Sequence, residues 1–415
     1  MHLNDLEQSM LAGEQGEPRR FAMQHLLEVG RFFDAADCVE VSQVHLMADT
    51  EALGEAGVAF LEGLAAHPPA ERWVRVPTLT DPRGTDFKAY RKLRQAEEFA
   101  ALERRAIRAF RALGLLMTDS CIVYQTVMPP TLGEHLAYGD TGSSIYANSV
   151  LGARTNFEGG PSALAAALTG RVPRYGFHLE ERRRGTQRFR LEVQPRCLSD
   201  WGALGAIVGR AMDSYWEVPV IEGAAAPIRS DELKHFGAAL ASFGSTALFH
   251  MVGVTPEAPV LEAVFDGAPP EAVPIGAAEI EAFYASYRPE GDKLDVVVFA
   301  APQLSLFELQ HLAGLLDGKR IHRKTAMLVA TSPEIKAAAD RMGLTERIEA
   351  SGALLLEGVC FYQMHAREIG EANGWRTLMT NSAKLVNIIA GYGYHPLPAP
   401  MERCVEAAVA GRILR

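Results

Sequence analysis

The chain has 415 residues, and its 48% hydrophobic content is enough to bury a large core, so we predict a globular protein of two or three domains. Its 51 acidic residues outnumber 41 basic residues, and the resulting net charge of −10 argues against a protein that binds the phosphates of nucleic acids. No stretch has the apolar length of a membrane-spanning helix or the form of a secretion signal, so we expect a cytoplasmic location without membrane contact.

Apolar runs of strand length alternate along the chain with longer stretches of helical periodicity. Strands are predicted at residues 38–46, 73–78, 121–126, 247–252, 294–300, 325–330 and 353–356. Helices are predicted at residues 51–66, 97–113, 204–215, 231–243 and 304–316. The alternation favours an α/β protein with parallel sheets flanked by helices.

A stretch rich in proline, alanine and glycine, residues 254–276, is predicted to link two parts of the chain. It would separate one or two N-terminal α/β lobes, residues 1–253, from a C-terminal α/β lobe, residues 277–415. A β-hairpin is predicted at residues 175–193, with the arginine run 182–184 in its solvated turn.

Residues 139–178 are small or polar where a simple core element would be apolar. Glycines in this segment would let the backbone approach a ligand, and its polar side chains could contact one. The candidate substrate-binding residues are Ser143, Ser144, Asn148, Arg154 and Asn156. Serine and asparagine are also ordinary caps of short helices, so the residues alone leave open whether this segment is a pocket wall or a set of caps and turns.

The five cysteines stand at wide spacings and form no CxxC pair, which argues against a disulfide framework and against a zinc ribbon. A metal site would therefore have to be assembled by the fold from distant segments.

Within the polar segment, residues 146–170 read YANSVLGARTNFEGGPSALAAALTG and resemble the signature of the aconitase X family, which follows an acidic segment like residues 134–140 here. Other stretches match the family in order: residues 42–57, 76–87, 120–125, 302–316, 379–384 and 404–412. Because the matches span almost the whole sequence, the chain is identified as a member of this family.

The resemblance implies a dehydratase with an aconitase-like fold, an iron site held by cysteines and a smaller swivelling domain that closes over the substrate. Family members carry that domain either fused or as a separate chain. Since no stretch of this sequence is left over for it, the resemblance implies a separate small subunit that contributes to the active site.

Cys121 and Cys360 match cysteines by which the family holds its iron. The third expected position departs from the pattern, because residues 300–303 read AAPQ where many members read Gly-Cys-Pro-His. Ala301 therefore replaces a thiolate and Gln303 an imidazole. Three arrangements stay open: a mononuclear or otherwise altered iron site, an iron–sulfur cluster or ion completed by a ligand from the partner chain, and a site without metal.

Dehydration also requires a base that removes the proton next to the substrate carboxylate, and that carboxylate must be held and partly neutralised. Thr380, Asn381, Ser382 and Lys384 follow a strand-like run and open a helical pattern, where backbone N–H groups and a lysine can bind an anion. The alternative for this turn is an ordinary helix cap with an exposed lysine. Candidate catalytic residues are Ser382, Lys384 and His45, although His45 also fits a hydrogen-bonded core histidine.

The family dehydrates either cis-3-hydroxy-L-proline, chiefly in bacteria, or phosphorylated mevalonate, chiefly in archaea, and this sequence is more similar to the bacterial branch. We therefore expect the large subunit of an enzyme that converts cis-3-hydroxy-L-proline to 1-pyrroline-2-carboxylate. A mevalonate 5-phosphate dehydratase is the alternative, and it would need a basic pocket, for which Arg154, Arg174 and Arg182 are candidates. A non-catalytic binding subunit of the same fold is the third possibility.

Overall fold

Three parallel β-sheets, each flanked by helices, follow one another along the chain. They are seen in a computed structural model, which describes residues 1–47, 49–225 and 227–414. The predicted α/β class with parallel sheets is confirmed. No helix in these described ranges is long and apolar enough to cross a membrane.

The first lobe is built around a three-stranded parallel sheet of order β3-β2-β4, with β1 and β5 forming a separate antiparallel pair. Its elements are α1 (Asp5–Leu11), α2 (Glu17–Phe32), β1 (Cys38–Glu40), β2 (Val44–Leu46), α3 (Thr50–Ala65), α4 (Pro69–Arg72), β3 (Thr78–Thr80), α5 (Glu97–Leu113), β4 (Ala137–Tyr138), α6 (Thr141–Ser149), α7 (Gly160–Thr169) and β5 (Arg171–Pro173). The amphipathic helices α2, α3, α5 and α7 bury Leu26, Leu61, Phe110 and Leu164 in one core.

The second lobe has a four-stranded parallel sheet of order β8-β7-β6-β9. Its elements are β6 (Gln187–Leu191), α8 (Leu198–Arg210), β7 (Pro219–Glu222), α9 (Ser230–Gly244), β8 (His250–Met251), β9 (Val273–Ile275) and α10 (Ala277–Ala285). Residues 254–276, predicted as a linker, thus include the edge strand β9, which pairs with β6, and a 3-10 turn at Leu261–Val264.

The third lobe has a five-stranded parallel sheet of order β12-β11-β10-β13-β14. Its elements are β10 (Val296–Phe299), α11 (Leu306–Leu315), β11 (Ala326–Thr331), α12 (Pro333–Arg341), α13 (Leu344–Ala350), β12 (Leu354–Glu357), α14 (Ala366–Asn373), β13 (Thr377–Thr380), α15 (Ala383–Ile389), β14 (His395–Pro398) and α16 (Met401–Ala410). Val297 and Phe299 of β10 belong to one core and Val296 and Val298 to another, so β10 is covered by helices on both faces. This double coverage explains its uninterrupted apolar sequence.

Several local predictions are wrong. Of the strand predicted at residues 73–78, only Thr78 lies in a strand, β3. Residues 121–126 form a 3-10 turn at Val123–Gln125 and not a strand. Residues 175–193 contain two 3-10 turns before β6, whose partners are both parallel, so no hairpin forms there. Arg183 is also buried and not solvated, because its guanidinium pairs with Glu257 at 2.6 Å and donates to the Asn148 carbonyl at 2.9 Å.

The first and third lobes meet where the strands of their parallel sheets end. The backbone N–H of Arg83, just beyond β3, donates to the Gly358 carbonyl, just beyond β12, at 2.8 Å. The Arg83 guanidinium adds a bond to the Glu357 carbonyl at 2.9 Å. Helix α15 of the third lobe packs on α8 and α9 of the second lobe. The loops that follow the strands of different lobes are thereby brought together, which is the usual place for a site in parallel α/β folds.

Candidate active site

A buried cluster of chemically reactive side chains lies where these loops meet. Asp81 follows β3, Asp140 follows β4, Cys360 follows β12 and Lys384 lies in the first turn of α15. Cys121 joins them from the 3-10 segment, and each of the five side chains is buried. The predicted metal ligands and the predicted Lys384 are therefore close together in the fold.

The two cysteines face each other as free thiols. The neighbouring Cys360 thiol, together with burial, raises the pKa of Cys121 well above its ordinary value. In the absence of a bound metal, Cys121 is therefore a protonated thiol at neutral pH, although the Lys384 ammonium group lies in the same cluster.

Gln303 bonds to the segments that carry both cysteines. Its side-chain Oε1 accepts from the Cys121 backbone N–H at 3.2 Å, and its Nε2 donates to the carbonyls of Asp119 and Val359, both at 3.1 Å. The backbone N–H of Gln303 also donates to the Cys121 Sγ at 3.3 Å.

The donors of this chain fit an iron site only in part. Among the residues that the structure describes, no group of three or more histidine, cysteine, aspartate and glutamate side chains is placed to hold a metal ion. Ala301, at the family's third cysteine position, has no metal-binding side chain, and its carbonyl accepts a bond from the Ser382 hydroxyl. A cluster held by three cysteines of this chain does not fit, and an ion on Cys121 and Cys360 would need further ligands from outside it.

Lys384 and Asp140 form a buried ion pair in the cluster, with Nζ and Oδ1 3.1 Å apart. Asp140 Oδ2 accepts the Ser143 backbone N–H at 2.7 Å and caps α6, and Lys384 Nζ also donates to Thr141 Oγ1 at 3.2 Å. Burial opposes both charges, but their mutual attraction outweighs it, raising the pKa of Lys384 and lowering the pKa of Asp140. The cluster thus contains a fixed ammonium group at neutral pH.

His45, at the middle of β2, is fully buried beside this pair. Its Nε2 lies 2.8 Å from the Ser120 carbonyl, so we assign the ring proton to Nε2. Its Nδ1 has no hydrogen-bond partner among the described residues. Burial lowers the pKa of His45, so the ring is neutral at neutral pH and Nδ1 is a free acceptor.

Asp81 has one bonded oxygen and one free oxygen. Its Oδ2 accepts from Gln363 Nε2 at 2.7 Å, while its Oδ1, 3.5 Å from His45 Nε2, has no hydrogen-bond partner among the described residues. Burial, with the nearby Asp140 and Cys121, raises the pKa of Asp81 well above its ordinary value. A carboxyl group in this setting can retain a proton at neutral pH.

The predicted anion-binding turn is buried, and two of its hydroxyl groups bond within it. Ser382 Oγ accepts the Leu385 backbone N–H at 3.1 Å, capping α15, and donates to the Ala301 carbonyl. Thr380 Oγ1 accepts the Ser382 backbone N–H at 3.1 Å. Asn381 lines a cleft between the second and third lobes.

The polar residues predicted to bind substrate bond mainly within the fold. Ser143 Oγ donates to the Cys121 carbonyl at 3.0 Å, which places it at the cluster. Ser144 Oγ donates to the Tyr138 carbonyl at 2.9 Å. Both hydroxyl groups are fully buried.

The other three predicted substrate-binding residues fix the loop that follows α6. Asn148 Nδ2 donates to the carbonyls of Thr155 and Ala247, both at 2.8 Å. Asn156 bonds to backbone groups of residues 175 and 177, and Arg154 pairs with Glu180. The structure does not bring these three side chains into the cluster, and their role in substrate binding stays a prediction.

The cleft has a volume of about 620 Å³ and lies between residues of the second and third lobes. Its lining includes Arg196, Ser230, Asp231, Phe307 and Asn381. Ser230 Oγ bonds to the Tyr146 hydroxyl at 2.8 Å, and the Tyr146 ring stacks on Tyr124 at 4.0 Å. Because Tyr124 lies close to Cys121 in both sequence and space, the cluster is one aromatic layer behind the cleft.

Sequence reasoning missed Asp81, Asp140, Gln303 and Gln363 as members of the site. A signal was available for the two aspartates, because each follows directly on a strand of a parallel sheet. Gln303 stands in a family motif, but the bonds that its amide makes to distant segments leave no local pattern in the sequence, and Gln363 had no signal at all.

Comparisons with known protein families and proteins agree with the observed fold. Sequence models of the aconitase X family match the chain as first domain, residues 1–181, second domain, residues 185–285, and third domain, residues 294–410. The phosphomevalonate dehydratase large subunit of Methanothermobacter thermautotrophicus is 35% identical over 94% of both chains. The cis-3-hydroxy-L-proline dehydratase of Pseudomonas aeruginosa is 32% identical over 99% of this chain and 70% of that enzyme.

Solved structures show the same relation. The holo-form crystal structure of Thermococcus kodakaraensis aconitase X superposes with a TM-score of 0.86 and 29% sequence identity, covering 98% of this chain and 100% of that one. Since the family models and the relatives cover nearly the full length, the chain belongs to the aconitase X family of dehydratases, which are carbon–oxygen lyases.

Proposed function

We propose that this chain is the large subunit of a hydro-lyase that converts cis-3-hydroxy-L-proline to 1-pyrroline-2-carboxylate. The observation that carries the choice of substrate is the charge of the buried cluster, where the ammonium group of Lys384 is paired with the carboxylate of Asp140 and the carboxyl group of Asp81 can retain a proton. A cyclic amino acid brings one carboxylate, which suits the ammonium group, and one ring ammonium, which suits a carboxylate. A phosphorylated acid would bring several negative charges to a cluster whose ammonium group, Lys384, is already paired with Asp140.

The reaction removes the C2 proton, breaks the C3–O bond and releases the hydroxyl group, after protonation, as water. The enamine formed then tautomerises to the imine product. We assign carboxylate binding to Lys384, with Asp140 holding its charge and position. Neutral His45, through its unpartnered Nδ1, is suited to accept the C2 proton, and protonated Asp81 is suited to give a proton to the departing hydroxyl group.

We further propose that iron binds at Cys121 and Cys360, with its remaining ligands from the partner chain or the substrate. When bound, such an ion supplies Lewis-acid polarisation of the substrate hydroxyl group. Support comes from the two buried thiols facing each other.

The proposed partner is a small subunit that carries the swivelling domain. Support comes from the relatives, several of which are named large subunits.

Mevalonate 5-phosphate dehydration is the second candidate, and a specific observation favours it. The phosphomevalonate dehydratase large subunits match this chain over 94–100% of their own length in four of the comparisons. Its phosphate would need cations. Of the three predicted arginines, Arg154 and Arg174 are already paired with Glu180 and Asp37, and Arg182 is exposed at the surface. The third alternative was a non-catalytic subunit. The similarity to dehydratases over nearly the whole chain argues against it.

Substrate discrimination tests the proposal. The complex of this chain with its small subunit, purified anaerobically, is given each compound in turn and kcat/KM is measured for both. We expect cis-3-hydroxy-L-proline to be preferred by at least about 100-fold, as a buried charge mismatch of roughly 3 kcal/mol would produce. A preference for mevalonate 5-phosphate would transfer the assignment to the second candidate.

A further inference from the structure

Gln303 is fully buried at the junction of the two cysteine segments, and its side-chain amide bonds to three backbone groups. A glutamine amide offers one oxygen acceptor and two N–H donors in one plane. Both donors and the acceptor are used here, on residues 119, 121 and 359. The amide therefore ties the segment that ends at Cys121 to the segment that continues into Cys360.

The loop that carries Gln303 is itself fixed from several sides. The Ser382 hydroxyl donates to the Ala301 carbonyl, and Lys234 Nζ donates to the Gln303 carbonyl at 3.3 Å. Ser305 Oγ donates to Asp231 Oδ2 at 2.7 Å. Because its backbone is held in this way, Gln303 imposes its own position on both cysteine segments.

One further bond reaches a thiol directly. The Gln303 backbone N–H donates to Cys121 Sγ at 3.3 Å and thereby fixes the direction of one sulfur lone pair. The Gln303 backbone N–H thus contacts the Cys121 thiol, while the Gln303 side-chain amide ties together the segments that carry Cys121 and Cys360.

We propose that Gln303 is a positioning residue that holds Cys121 and Cys360 at the spacing needed to bind a thiophilic transition-metal ion. The proposal rests on the proposed function, in which these cysteines hold the metal. Hydrogen bonding by Gln303 takes over part of the ordering that a third protein ligand would provide, since Ala301 provides none. The ion would be one that prefers soft sulfur ligands.

The test is titration of the metal-free complex of this chain and its small subunit with Co(II) alone, monitored by thiolate-to-cobalt charge-transfer absorption. The test variant is Gln303→Met, which keeps the length and bulk of the side chain and removes all three amide bonds. Gln95→Met is the matched control. Gln95 is also buried, and its Nε2 donates to the carbonyls of Gly84 and Met364 at 2.7 and 3.1 Å, without a hydrogen bond to Cys121 or Cys360.

We expect Gln303→Met to weaken Co(II) binding 10- to 100-fold and to reduce the charge-transfer absorption per bound ion, as the loss of outer-shell bonds does at metal sites. Gln95→Met should bind Co(II) as the wild type does, even where its melting temperature falls equally. Unchanged binding in Gln303→Met, or an equal loss in both variants, would overturn the proposal. If Gln303→Met fails to fold, Gln303→Asn takes its place. Its side chain is one methylene too short to reach all three groups, so it must show an intermediate loss of Co(II) binding. Co(II) binding equal to that of the wild type would overturn the proposal.

Two further outcomes separate this inference from the proposed function. Co(II) binding that depends on Gln303 in a complex that turns over neither substrate would reject the proposed function and leave the positioning role standing. A wild-type complex that dehydrates cis-3-hydroxy-L-proline but binds no Co(II) through Cys121 and Cys360 would overturn the positioning role and leave the reaction standing.

Discussion

At the scale of single residues, the buried ionisable groups of the site are neutralised either by an adjacent ion-pair partner or by a bound proton. Lys384 and Asp140 balance each other, while Asp81 and Glu158 have no cation paired with them among the described residues. Buried carboxyl groups without a cation retain their protons to higher pH, so these two acids differ from Asp140 in charge at neutral pH.

Removing the cation of the buried pair should be costly. We expect Lys384→Met to lower the free energy of unfolding by about 3–5 kcal/mol at pH 7, because Asp140 is left as an uncompensated buried charge. Urea unfolding of the complex measures this. The double variant Lys384→Met with Asp140→Asn should recover most of the loss, and a double variant no more stable than the single one would contradict the pairing.

Glu158 should make stability depend on pH. Burial raises its pKa to about 7 from the model-compound value of 4.5, and its Oε1 has no hydrogen-bond partner among the described residues. The folded state therefore binds this proton more tightly than the unfolded state, and stability falls as pH rises from about 4.5 to about 7, then levels off.

Glu158→Gln removes that titration. Relative to the wild type, the variant should gain up to about 3 kcal/mol of unfolding free energy between pH 4 and pH 8, because one pKa unit corresponds to about 1.4 kcal/mol. Urea unfolding at several pH values measures the difference. A difference that stays constant with pH would show that Glu158 titrates normally in the folded protein.

At the scale of elements, the sequence predicts best where the pattern is regular. Amphipathic α5 and the doubly covered strand β10 lie within a few residues of their predicted ranges. Residues 121–126 have the apolar composition of a strand, but the Cys121 N–H bonds to the Gln303 side chain and not to a neighbouring strand. Helix α6 was missed because it is buried around its whole circumference and its polar residues face protein, which removes the amphipathic period.

The same contrast holds for the site. Cys121, Cys360, Lys384 and His45 were predicted and do lie together, the cysteines because they match a family motif. Gln303 could not be predicted, because its partners are more than 50 residues away along the chain and no sequence pattern records such bonds.

Ser382 gives a prediction for one element, α15. Ser382→Ala should lower the free energy of unfolding by about 1–3 kcal/mol, because Oγ both caps α15 and donates to the Ala301 carbonyl. Ser332→Ala is the control, since Ser332 Oγ caps α12 through Ile335 alone. Thermal unfolding should show a larger loss of stability for Ser382→Ala than for Ser332→Ala. Equal losses would contradict a stabilising contribution from the hydrogen bond to the Ala301 carbonyl.

At the scale of the whole molecule, the candidate active site is formed where the three lobes meet. Asp81, Asp140 and His45 come from the first lobe, Cys360 and Lys384 come from the third, and the second lobe supports α15. The cleft between the second and third lobes is separated from the cluster by the stacked rings of Tyr146 and Tyr124.

The most direct measurement is dehydration of cis-3-hydroxy-L-proline by the anaerobically assembled complex of this chain and its small subunit, with Cys121→Ser and Lys384→Ala as controls. We expect formation of 1-pyrroline-2-carboxylate by the wild-type complex, a loss of at least about 100-fold in kcat/KM for each variant, and no turnover by this chain alone. Absence of product from a folded, iron-loaded complex, or variants as active as the wild type, would contradict the account.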